Sequence, residues 1–149
     1  MRTAAGSRAL PILLGLIGIY HLGLGILPFL PTAFTTRLLL AIFGMVFEVT
    51  PQMHYLGQLF GIYALLFGLM ALVAAGDPYR HRSLVNLVLV LYCLRILNRV
   101  LFIFTFMPAF QTTPFRGWLE VVLLAAFGLA VVLLRPRGAA PQVAETAAG

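Results

Sequence analysis

The stretch LYCLRILNRVLFIF, residues 91 to 104, holds the groups best suited to chemistry: Tyr92, Arg95, Asn98 and Arg99 inside an otherwise apolar run. Steps of three and four residues place them on one helical face, a polar stripe continued by Phe102. Two guanidiniums flanked by a carboxamide suit carboxylates or phosphates, because each planar fork donates parallel hydrogen bonds to paired oxygens. A charged arginine at a bilayer centre costs about 2.5–3.5 kcal/mol on insertion scales, so both need partners or water if this run is membrane-embedded.

Depth along a helix selects those partners. At 1.5 Å per residue Arg95 lies about 18 Å, and Arg99 about 24 Å, from the start of the run at Ser83. His21, Gln58, Tyr63, Glu120 and Glu48 fall in the same half of the membrane. The expected intramembrane polar site is therefore Arg95, Asn98, Arg99, Glu120, Glu48, His21 and Gln58. Glu120 is the favoured counter-charge for Arg99. It follows Arg116 by four residues on one face and sits a turn deeper, which leaves Arg116 for the headgroups.

Other chemistries find less support. His21, His54 and His81 lie at mid-membrane, outer and inner depths, whereas a shared metal needs each ligand nitrogen about 2 Å away. No nucleophile has a neighbouring base, and neither a phosphate loop nor a G-x-S-x-G turn occurs. The expectation is no enzyme, no metal and no cofactor. Cys93, the lone cysteine, reads as a small apolar filler.

The elements that must position these residues follow from composition. Of 149 residues, 62% are hydrophobic and 9% charged, far from the roughly 25% charged of soluble domains. Apolar blocks at about 9–30, 53–75, 83–107 and 115–134 each reach the roughly 20 residues a spanning helix needs. The expected fold is an all-α integral membrane protein, an antiparallel bundle of four transmembrane helices. A shorter apolar segment, about 37–49 between Arg37 and Glu48, reads as an interfacial or re-entrant helix between spans one and two. Residues 1–137 would form one membrane domain, and 138–149 a disordered tail.

Net charge is +6, all of the basic residues being arginine. Their scatter over span ends, rather than one soluble face, argues against nucleic acid. Arg2, Arg8, Arg80, Arg82, Arg135 and Arg137 fall on one side and only Arg37 and Arg116 on the other, which places both termini in the cytoplasm of a cell whose inner membrane the chain crosses. Span one is too long, and lacks an A-x-A-like site, for a cleaved signal peptide. Asp77 can cap the third span with Pro78 at its first position, and Thr112 or Thr113 can cap the fourth.

Gly57, Gly61, Ala64 and Gly68 recur at intervals of three and four along span two, so they share one smooth face where another backbone can come close. Span one, with Gly15, Gly18 and Gly25, and a second copy of span two in a homodimer are both candidates for that face, with the dimer favoured.

The pieces PQMHYLGQLFGIYALLFG, DPYRHR, RILNR and LLRP resemble small four-span bacterial membrane proteins of the BphX-like kind, over roughly residues 50 to 136. The resemblance implies four helices and no catalytic residue. The leading expectation is a non-enzymatic accessory or scaffold component in the lipid bilayer. The alternative is a binder or carrier of a small anionic or amphipathic molecule at the outer-half site.

Overall fold

The computed structural model describes residues 6–135, which are all-helical with no strand. Arg2, Arg137 and the segment 138–149 lie outside the described residues. Five α-helices follow in order: α1 (Gly6–Ile26), α2 (Thr32–Phe43), α3 (Pro51–Gly76), α4 (Arg82–Ala109) and α5 (Pro114–Leu134), with a 3-10 turn, Leu27–Phe29, after α1. All but α2 are long and apolar enough to cross a membrane, which marks a multi-pass membrane protein. Their outward faces are apolar to match: Phe104 is 78% and Phe115 75% exposed, a surface suited to lipid rather than water.

Proline and glycine set the helix boundaries. Pro28 lies in the 3-10 turn and Pro31 precedes α2, each lacking the N–H that a continuing helix would use. Gly44 ends α2 in the left-handed region at φ +64°, its N–H bonded to the Leu40 carbonyl at 2.9 Å. The short helix between spans one and two is thereby shifted from the expected 37–49 to Thr32–Phe43, and residues 44–50 run without regular structure. Val46 N–H bonds the Phe110 carbonyl at 2.9 Å, and the rings of Phe47 and Phe110 meet edge-on at 5.4 Å. This irregular segment is thus tied to the end of α4.

Side-chain caps start two of the long helices. Thr50 accepts from the Met53 N–H at 3.2 Å, and Thr113 from that of Arg116 at 3.4 Å. Asp77 caps a turn rather than the helix expected after it. Its Oδ1 accepts from the N–H groups of Tyr79 and Arg80 at 3.1 and 3.0 Å, and α4 begins only at Arg82.

The most extensive packing joins α1 to α3. A Cβ on Gly18 would sit 2.9 Å from the Gly68 carbonyl oxygen, and one on Gly25 2.8 Å from that of Gly61; built on Gly68 and Gly61 it would meet the oxygens of Gly18 and Gly25 at 2.9 and 2.7 Å. Backbone touches backbone at both levels, and only hydrogen fits between. The pairs run in opposite chain order, so α1 and α3 are antiparallel. The face of Gly57, Gly61, Ala64 and Gly68 thus meets span one, the alternative to a second copy of span two, within the chain. With Gly61, Ala64 and Gly68 buried and Gly57 beside Pro28, α1 and its exit already cover that face.

A second pair, α4 with α5, is joined to the first by much sparser contact. Along it Tyr92 lies against Gly128, and Ile103 and Met107 against Gly117, again in opposite order. Leu14, Ile17, Ala71, Val88, Leu124 and Val131 belong to one buried cluster drawn from all four long helices. That cluster fills the half of the molecule nearer the turn between α3 and α4, and the polar residues gather beyond it. Near their level α4 departs from helical geometry at Phe102 (φ −111°, ψ 15°).

Candidate functional site

His21 of α1 is 3% exposed. Its Nδ1 lies 2.8 Å from the Ile17 carbonyl oxygen, and its Nε2 3.1 Å from Nη1 of Arg95. A carbonyl only accepts and a guanidinium only donates, so Nδ1 carries the proton and Nε2 offers its lone pair. The ring is held as a neutral acceptor for Arg95. Tyr20 and Phe67 pack edge-on to it at centroid distances of 5.1 and 4.7 Å.

One turn further along α4, Nη2 of Arg99 donates to Oε2 of Glu120 at 2.5 Å. The two side chains are 14% and 19% exposed, so this ion pair is shielded without being sealed. The ring of Phe106 covers the guanidinium, with Cζ 3.5 Å from its centroid, adding a cation–π contact. Arg99 is thus neutralised from α5, whereas Arg95 has a neutral partner and no carboxylate among the described residues.

Asn98, Gln58 and Glu48 stand apart from this cluster. One residue from Arg99 is a step of about 100° around the helix, which carries Asn98 to the exposed surface. Phe102, placed on the same stripe, is 55% exposed. Gln58 is engaged by His54, one turn earlier in α3, with Nε2 to Nε2 at 3.1 Å. Glu48 lies exposed on the irregular backbone beyond Gly44, with no ion pair to a described arginine.

Beside the Arg99–Glu120 pair is a cavity of about 440 Å³, within the roughly 300–1,000 Å³ of small-molecule sites. Leu16, Ile17 and Tyr20 of α1, Phe43 at the end of α2, and Leu119, Leu123 and Phe127 of α5 supply its largely apolar wall. Tyr92, Thr112, Arg116 and Glu120 are its other polar lining. Tyr92 is 3% exposed, and its hydroxyl makes no hydrogen bond to a described residue. A tyrosine so placed wants a polar partner. Arg116 has no ion pair among the described residues, and it packs so closely on Gly44 that a Cβ there would overlap its guanidinium.

Sequence reasoning missed Arg116, Thr112 and Gly44 as parts of a site and took Tyr92 only as part of a stripe. Depth alone sends Arg116 to the headgroups. A glycine closing a short helix opposite an arginine was the one available signal, and it gains meaning only when α2 and α5 meet in space. Comparison with models of protein families, with curated proteins and with solved structures gave no match.

Proposed function

We propose that this chain is a non-enzymatic protein of a bacterial inner membrane that binds one anionic amphipathic molecule in the cavity between α1 and α5. In this reading α1, α3, α4 and α5 form an antiparallel four-helix bundle with both termini cytoplasmic, and α2 lies along the outer interface as a helix that does not span. The four helices are those implied by the likeness to the BphX-like proteins. Arg8, Arg80, Arg82 and Arg135 on one side, against Arg37 and Arg116 on the other, support the orientation.

The observation that carries the ligand reading is the cavity, apolar over most of its wall, with the unpartnered Tyr92 hydroxyl and Arg116 on its lining. An acyl or aryl body fits the first part and an acidic head the second. Charge agrees. Glu120, the one carboxylate on the lining, is already paired with Arg99, which leaves Arg116 on the same lining without a described counter-charge and favours an anion. A second reading, an accessory or scaffold subunit, draws on Asn98, whose exposed position presents an amide outward.

Thermal unfolding of the protein in dodecyl maltoside, titrated with dodecyl phosphate or dodecyltrimethylammonium, tests the ligand reading. Binding at 100 times Kd stabilises by about 2.7 kcal/mol, a rise in Tm of a few degrees for a chain of this size. The phosphate should raise Tm, the ammonium should not, and Leu123→Trp should abolish the rise by filling the cavity. Equal responses to both amphiphiles, or a rise that survives the tryptophan, would refute it.

A further inference from the structure

We propose that a second copy of this chain packs against the outer face of α4 through a heptad seam that has Asn98 at its centre. Leu87, Leu91, Leu94, Asn98, Leu101 and Thr105 follow one another at steps of four and three, the spacing of the a and d positions of a coiled coil. Leu91, Asn98 and Thr105 take a, and Leu87, Leu94 and Leu101 take d. None contributes to the buried core. Leu87 is 49%, Leu94 57% and Leu101 64% exposed, whereas Tyr92 and Ile103, on the far side of the helix, are 3% and 1% exposed.

Asn98 makes this face more than a lipid-facing one. It lies about 4 Å past the midpoint of the 28-residue α4, hence in the hydrocarbon of any membrane the helix crosses. It is exposed, and its carboxamide makes no hydrogen bond to a described residue. Hydrocarbon offers such a group nothing. A second copy does. Two chains inserted the same way put α4 beside α4 in parallel, so Asn98 meets Asn98 at equal depth. A carboxamide, being donor and acceptor together, is its own complement across a two-fold axis. A single asparagine at an a position also fixes register, which apolar leucines alone leave free to slide.

The straight part of the seam, from Leu87 to Leu101, covers 14 steps along the helix, about 21 Å, with only Thr105 beyond the departure from helical geometry at Phe102. The seam therefore has four straight turns to work with. It leaves α1, α3 and the cavity untouched, since those contacts lie on the inward face of α4, at Tyr92, Arg95 and Arg99.

The test is oxidative cross-linking of single cysteines in membranes, in a Cys93→Ser background. Leu94→Cys and Leu101→Cys should give a dimer band, and Ile96→Cys, turned inward, should not. Adding Asn98→Ala should weaken the Leu94→Cys dimer about tenfold in a dilution series with lipid, as expected for losing a mutual amide pair. Asn98→Gln should restore most of it. Tm of the Asn98→Ala chain, measured in detergent, should stay within a degree or two of wild type, which separates lost association from lost folding. No dimer at either leucine position, equal cross-linking at Ile96→Cys, a ladder beyond the dimer, or full cross-linking without the amide would each overturn the proposal.

Discussion

Arg95 of α4 donates a hydrogen bond to Nε2 of His21 of α1 at 3.1 Å, across 74 residues of sequence. It is the one side-chain hydrogen bond joining the α1–α3 pair to the α4–α5 pair among the described residues, and it makes a neutral ring the partner of a charge. His21→Leu should therefore cost about 1–3 kcal/mol, the price of stranding a buried donor. Arg95→Leu added to it should recover part of that loss. Urea or thermal unfolding of the three variants checks this, and a double variant no better than His21→Leu alone would contradict it.

Arg99 and Glu120 form the other crossing point, within the α4–α5 pair. Removing one partner from a fully buried pair costs roughly 3–5 kcal/mol. With side chains 14% and 19% exposed, water can reach the stranded charge, and about 2 kcal/mol is expected for Arg99→Leu or Glu120→Leu. The double variant should be more stable than either single one. Additive losses in the melting series would show that the two groups do not act as a pair.

The α1–α3 contact separates glycines that are needed from those that are not. Gly18→Ala or Gly61→Ala would push a methyl to within 3 Å of a carbonyl oxygen, and each should cost about 1–3 kcal/mol by forcing the helices apart. Gly15 and Gly23 have open space where a Cβ would go, so alanine there should change stability by about 0.5 kcal/mol or less. Thermal unfolding in detergent distinguishes the sets, and equal losses at all four positions would refute the close approach.

Gly44→Ala should act twice. The alanine would have to adopt φ near +64°, at about 1–2 kcal/mol, and its methyl would occupy the place of the Arg116 guanidinium. Affinity for dodecyl phosphate should fall with stability, whereas Leu40→Ala on the exposed side of α2 should leave affinity unchanged. Isothermal titration in detergent reads both.

Much of the helical layout was legible because it rests on local quantities: block length against hydrocarbon thickness, and prolines and glycines that stop a helix wherever they stand. The depth of Arg99 and Glu120 was equally accessible, since rise per residue is constant. Azimuth was harder. At 100° per residue Arg95 and Arg99 share an inward arc, but Asn98 steps just over its edge, and a pattern of threes and fours does not show where that edge falls. Which glycines pair is a further step removed. Gly18 and Gly25 meet α3 while Gly15 faces open space, although all three recur at similar spacing. The cavity left no mark in the sequence, because α1, the end of α2, α4 and α5 each contribute a few ordinary residues to it.

Native mass spectrometry from a mild detergent tests the ligand reading most directly. Wild-type protein is expected to retain one acidic amphiphile per chain, identifiable from the mass released on activation, and Leu123→Trp is expected to emerge bare and to melt where wild type stripped of its amphiphile melts. Wild-type chains that carry no adduct, or the same adducts on wild type and Leu123→Trp, would contradict a ligand in the cavity.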